Sequence, residues 1–370
     1  MVDYYVMDFI VVKMKRWAAS LWKITASDLV RQYNNSFPGF YSLRIFLSFS
    51  ILFWHGFTVS NGMENDLFQN NAIGALGRLV LPMFFCLSGF LIAGSAARLR
   101  SLKVFMLFRF LRIIPALLVE VTLSAFVLGP LFTTHTLKDY LTDFRTWAYF
   151  GNVVGNISYM LPGVFRLHPI PMVNLNLWTM VPELYCYLMM TVLFLLGIMH
   201  NRKWFLLSVL QGSILFFVLY PNPAWDHCPL NQYILMICFW VGCLSFLYAE
   251  YIPINKYLFW VSLIIAYVCF NFEPLAIPGI LATAYCTVYL GLSKLPTISF
   301  LERGDYSYGI YLYGFPITQT IWHLVPDFRT GFVLFGLSAP LTFCFAALSW
   351  HYIEKPALSL KRYFLPKKIA

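Results

Sequence analysis

The chain of 370 residues is 60% hydrophobic and 19% aromatic, and only 11% of it is charged. A soluble domain carries about 25% charged residues, so the composition excludes an ordinary soluble protein. The formal charge of +10 does not argue for nucleic acid in such a chain; it fits cytoplasmic loops and anionic lipid headgroups.

Residues 1–39 read as a cytoplasmic N-terminal segment. Asp3 and Asp8 stand where a secretory signal would be basic, and no small-residue cleavage site follows. "KMKRWAASLWK" (13–23) mixes cations with Trp17, Leu21 and Trp22, which suits a helix lying on the membrane surface. The apolar runs that follow predict an all-α bundle of ten spans: 40–58, 79–97, 111–131, 180–199, 204–220, 231–249, 257–272, 274–292, 307–325 and 331–351. Together, 40–352 form one membrane domain, and 353–370 a basic cytoplasmic tail.

Sidedness follows from the cations. With both termini in the cytoplasm, 20 of the 26 Lys and Arg residues fall on the inner side. Arg78, Lys138, Arg145, Arg166 and Arg329 fall outside, and Arg44 lies within the first span. Residues 132–178 form a long outer connection, rich in Pro and aromatics, that is expected to fold over the outer mouth of a cavity. The eight cysteines show no CxxC pair and no metal-ligand spacing, so they read as small core residues and no metal is expected.

Three spans carry groups that lipid does not favour. In "YSLRIFLSFSILFWHG" (41–56), Arg44 and His55 are 11 residues apart. That spacing comes within about 20° of three full turns, so they share a face roughly 16 Å apart along the axis. An arginine at membrane depth costs about 2.5–3.5 kcal/mol, which argues that this face is buried in protein. Arg109 and Arg112 are three apart on one helix face, and paired guanidinium groups suit phosphate. On spacing alone, simple anchoring at the inner surface is the better explanation. Glu183 begins the fourth span after Pro182, at a depth expected to match His55; a carboxylate there would orient the imidazole of a general base. The plainer reading is a carboxylate favoured by the helix dipole.

These patterns, in order, resemble the integral-membrane acyltransferase-3 family. "LRIFLSFSILFWHG", "LPMFFCLSGFLI" (81–92), "RFLRIIP" (109–115), "LWTMVPELYCY" (177–187), "DYSYGIYLYGFPI" (305–317) and "WHYIEKPA" (350–357) are similar to its motifs. Gly314 stands where many members have histidine, and the chain ends soon after the tenth span, so an appended esterase-like domain is not expected. The resemblance implies an O-acyltransferase in a bacterial inner membrane. It would move an acyl group, expected to be acetyl, from cytoplasmic acetyl-CoA to a carbohydrate or lipid-linked glycan hydroxyl. His55 would be the general base with Glu183 as its partner. Arg44, Arg109 and Arg112 would bind the donor, and Trp178, Tyr187 and Tyr311 would contact substrate. The competing class is a transporter, since polar groups at depth and prolines within spans also mark solute pathways.

Overall fold

The computed structural model describes residues 23–34, 37–63, 72–99, 101–198, 201–219, 232–271, 276–296, 301 and 304–364. The expected surface helix over 13–23 lies outside them, apart from Lys23.

In chain order, α1 is Ala26–Gln32, α2 Pro38–Asn61, α3 Ala72–Arg98 and α4 Leu102–Leu123. The long connection over 132–178 holds α5 (Leu137–Thr142) and α6 (Phe144–Ala148), and α7 is Met180–Leu195. Then come α8 (Arg202–Leu219), α9 (Gln232–Leu247), α10 (Lys256–Cys269), α11 (Ala276–Leu292), α12 (Ser307–Leu324) and α13 (Gly331–Ser349). The described residues are all-helical, with only two isolated bridges, Thr25 to Pro253 and Thr133 to Val164.

A helix stands at each expected span. Five stretches are long and apolar enough to cross a membrane: Gly39–Asn61, Leu76–Arg98, Leu102–Phe132, Leu175–Leu195 and Gly331–Tyr363. Gln232–Leu247, Lys256–Cys269 and Ile277–Leu292 are shorter apolar helices. By this measure the structure supports five of the ten expected crossings. Outward-facing side chains such as Phe46, Leu188, Ile214, Ile264 and Leu348 are exposed, a surface suited to lipid rather than water.

Two helices run past their expected ends. The third span begins at Leu102 rather than 111, because Arg109 and Arg112 are taken into the protein interior and do not stop the helix. The tenth continues beyond 351 through a π-turn, Trp350–Glu354, into Lys355–Ser359 and Leu360–Tyr363. This extension folds against α4, with the Lys361 ammonium 4.8 Å from the centre of the Phe108 ring.

Close backbone packing holds the frame. α3 and α9 cross where Gly89 faces Gly242: a Cβ on Gly89 would lie 1.9 Å from the Phe239 carbonyl oxygen. One on Gly242 would lie 2.1 Å from that of Cys86. Without a hydrophobic drive between helices in lipid, such contact between small residues supplies much of the association. The crossing fixes α3, whose Ser88 lines the cavity described below.

The connection over 132–178 is folded and docked. The Tyr140 hydroxyl donates to the Ala125 carbonyl at 2.7 Å, and the Gln319 amide donates to Ile170 and Met172 carbonyls, both at 2.7 Å. His168, 6% exposed, meets the Gln319 side-chain oxygen at 2.8 Å and the His323 ring at 3.3 Å. Burial drives the His168 pKa down to about 4; the Gln319 bond opposes this, and His323 and Arg329 add to it. The docked loop thus holds a neutral imidazole, whereas a freed one titrates near 6.5. Loop docking is therefore fully stable above about pH 6.5 and weakens as pH falls from there toward 4. Limited proteolysis in detergent should show cleavage within 160–172 rising between pH 7 and pH 5 in the wild type. His168→Gln should remove most of that dependence, and a pH-independent wild type would contradict the assignment.

Candidate active site

A cavity of about 410 Å³ opens among α2, α3, α4, α7, the start of α12 and the extension after α13. That volume lies within the range of small-molecule sites. Leu81, Phe84, Ile92, Met180 and Phe239 give it apolar walls. Five cations, Arg44, Arg98, Arg109, Arg112 and Lys361, line it against two carboxylates, Glu183 and Asp305.

Asp305 organises one side. Its Oδ2 lies 2.8 Å from Arg44 Nη1 and 2.7 Å from Arg112 Nη2, and Oδ1 accepts from the Ser307 hydroxyl at 2.7 Å. It sits just before the first residue of α12, where the helix dipole also favours an anion. Burial raises its pKa, but Arg112, Arg44 and Ser307 outweigh that and bring it to about 2. Glu354, 1% exposed, holds the other branch of Arg112 at 3.4 Å and accepts from the Ser349 hydroxyl at 3.1 Å. Arg112 is thus forked between two carboxylates and lies over the Tyr308 ring, 5.7 Å from its centre. Neither Asp305 nor Glu354 was singled out in the sequence, although both stand within quoted motifs. Their signal is a carboxylate next to a span in a chain with only 16 acidic residues.

Arg109 is treated differently. Its Nε is buried and has no hydrogen-bond partner, and among the described residues it makes no carboxylate pair. The Arg-x-x-Arg pair, equivalent by spacing, is therefore split into one arginine held between two carboxylates and one with no ion pair among the described residues.

Glu183 does not sit beside His55. The segment before it, Leu175–Thr179, is a buried 3₁₀ turn that enters the bundle rather than skirting its surface. Asn174 donates to the Leu312 carbonyl at 3.0 Å and Asn176 to the Tyr311 carbonyl at 2.6 Å, both on α12. The fourth span accordingly starts deep, and Glu183 reaches the level of the arginines. Its carboxylate accepts a hydrogen bond from the Tyr187 hydroxyl, and Arg109, Arg112 and Arg44 lie within electrostatic reach. A run of polar residues, Asn174, Asn176 and Thr179, ahead of the apolar stretch carried the signal of this re-entry.

His55 lies outside the cavity lining, higher on α2. Its ring meets Phe315 edge-on at 5.1 Å, and Nδ1 is buried without a hydrogen-bond partner. Tyr187 and Tyr311 do line the cavity, and the Tyr311 hydroxyl bonds to Thr179 Oγ1 at 2.5 Å and the Asn176 carbonyl at 3.1 Å. Trp178 packs against the hydrophobic core and is not among the lining residues. The structure thus brings Arg44, Arg109, Arg112, Glu183, Tyr187 and Tyr311 together, and leaves His55 and Trp178 apart from them. Among the described residues, no group of three or more His, Cys, Asp or Glu side chains could hold a metal ion.

An apolar helical bundle enclosing a cavity lined by five cations defines an integral membrane protein. The family model described as "Acyltransferase domain", that of acyltransferase-3, matches residues 38–351. The chain belongs to this family and is an O-acyltransferase. It is 27% identical over 340 residues to an O-acetyl transferase of Shigella phage Sf6, covering 86% of this chain and 96% of that one. It is 26% identical over 364 residues to Nodulation protein 10 of Rhizobium leguminosarum bv. viciae, covering 89% and 95%. No solved structure matches the chain. Family membership sets the transporter reading aside.

Proposed function

We propose that the protein transfers an acetyl group from cytoplasmic acetyl-CoA to a hydroxyl of a surface or lipid-linked carbohydrate in a bacterial inner membrane. The observation that carries this reading is the cavity itself: excess positive charge over apolar walls, a match for a donor with a phosphorylated head and a long, weakly polar arm. Phosphate is recognised by guanidinium groups through charge-assisted, fork-like hydrogen bonds. Arg109 supplies such contacts directly, while Arg44 and Arg112, held by Asp305, line the path of the arm. The acetyl group follows the name of the phage relative, and the carbohydrate acceptor follows the resemblance.

From the cavity the arm extends along α2 toward His55, roughly 16 Å beyond Arg44 by helix geometry. His55 takes the proton of the acceptor hydroxyl, whose oxygen then attacks the thioester carbonyl. The C–S bond breaks, the acyl–oxygen bond forms, and the imidazolium returns its proton to the departing CoA thiolate. The unpartnered Nδ1 of His55 is a nitrogen that an acceptor group can satisfy. Glu183, bonded to Tyr187 and within electrostatic reach of three arginines, positions the donor side of the site rather than the imidazole. Tyr187 and Tyr311 face the arm, and Trp178 packs behind the turn that carries Thr179.

The test supplies radiolabelled acetyl-CoA to membranes that contain the protein. Label should pass into carbohydrate with the wild type; absence of label with acetyl-CoA and with longer acyl-CoA donors would contradict the reading.

A further inference from the structure

The charges around the cavity are not equivalent. Asp305 is engaged by both Arg44 and Arg112, and Glu354 by Arg112. Three lining cations are left with no ion pair among the described residues: Arg98 at the end of α3, Arg109 on α4 and Lys361 after α13.

Lys361 is brought there by the unbroken course of the last helix. Leu358 and Lys361, three residues apart on a helical extension, share a face, and both line the cavity. The Lys361 stem lies on α4, with its ammonium 4.8 Å from the Phe108 ring centre. Arg109 and Arg112 are within electrostatic reach of it. Folding thus brings Lys361 near Arg109, neither with an ion pair among the described residues, an arrangement that a further anion would stabilise. The buried, unpartnered Arg109 Nε is a donor still awaiting an acceptor.

We propose that Lys361, Arg109 and Arg98 form the anion-binding rim that takes the phosphates of the nucleotide half of the donor, so that the segment after the last span is part of the active site. Arg112 is then a positioning residue, fixed by Asp305 and Glu354. This rests on the acyl-CoA reading above and deepens it. Tetrahedral phosphates with several charges match three cations on three separate elements, and an ammonium binds phosphate as a point charge without a fixed approach angle.

The test compares two donors in the full-length protein: acetyl-CoA, and acetyl-pantetheine, which lacks the phosphates. Lys361→Met keeps the stem over Phe108 and removes the charge. It should raise KM for acetyl-CoA about tenfold, leave kcat nearly unchanged, and leave the rate with acetyl-pantetheine as in the wild type. Inhibition by adenosine 3′,5′-bisphosphate should weaken in parallel. Lys361→Arg should restore the wild-type KM, and Arg98→Met, at an exposed helix end, should show a smaller loss of the same kind. An equal effect on both donors would make Lys361 a packing residue and overturn the proposal, as would an unchanged KM for acetyl-CoA in an active protein. A wild type inert toward every CoA thioester would overturn the donor reading, and this proposal with it.

Discussion

His55→Ala should lower acyl transfer by about 10²–10⁴-fold, the usual contribution of a positioned general base, while the affinity for the donor should stay within about twofold of the wild type. The separation of effects follows from the geometry. His55 is roughly 16 Å up α2 from Arg44 and is absent from the lining of the cationic cavity, so its removal leaves the groups proposed to bind the donor phosphates untouched. Its ring packs edge-on against Phe315, and the alanine variant also leaves a small void. His55→Gln fills most of that space and should be nearly as inactive. Initial rates against acetyl-CoA concentration, with donor binding measured separately, check this. A variant that binds donor poorly but turns over normally would move His55 from the chemistry to the binding site.

The second large effect is on stability. Asp305→Ala removes a carboxylate shared by Arg44 and Arg112. Breaking a buried pair by deleting one partner costs about 3–5 kcal/mol, and the lower end, about 3 kcal/mol, applies here because the Asp305 side chain is 20% exposed. Thermal unfolding in detergent should register the loss. Glu354→Gln should cost less, since its contact to Arg112 is longer at 3.4 Å and the amide can still accept from Ser349. Asp305→Ala together with Arg44→Met should recover part of the lost stability, because one of the two stranded charges is gone. If Asp305→Ala unfolds like the wild type, the ion network is dispensable and Arg112 is free to bind ligand directly.

What the sequence made legible was whatever a single helix could encode. The class followed from composition, and Arg44 and His55 share a face because helical geometry requires it. The arginines of α4 stood out only through the motif "RFLRIIP" and its place in the order of motifs, since spacing alone favoured simple anchoring. The pairing of His55 with Glu183 was not legible, because it assumed that a span starts at the membrane surface. Asn174 and Asn176 instead bind carbonyls in the first third of α12 and draw the start of α7 inward, so depth could not be counted from the loop. The difference between Arg109 and Arg112 was equally hidden. It depends on Asp305 and Glu354, 193 and 242 residues away from Arg112 in sequence, and no local pattern records a contact that distant. Lys361 looked like one more cation in a basic tail; only the continuation of the last helix past its expected end brings it to the cavity.

The central claim is that the donor enters at the cationic end and the acyl group leaves toward the opposite face. Sealed membrane vesicles of known orientation, given radiolabelled acetyl-CoA on the outside, test it most directly. In inside-out vesicles, label should accumulate in carbohydrate, and in right-side-out vesicles it should not. Equal labelling in both orientations, or labelling in right-side-out vesicles alone, would contradict the account.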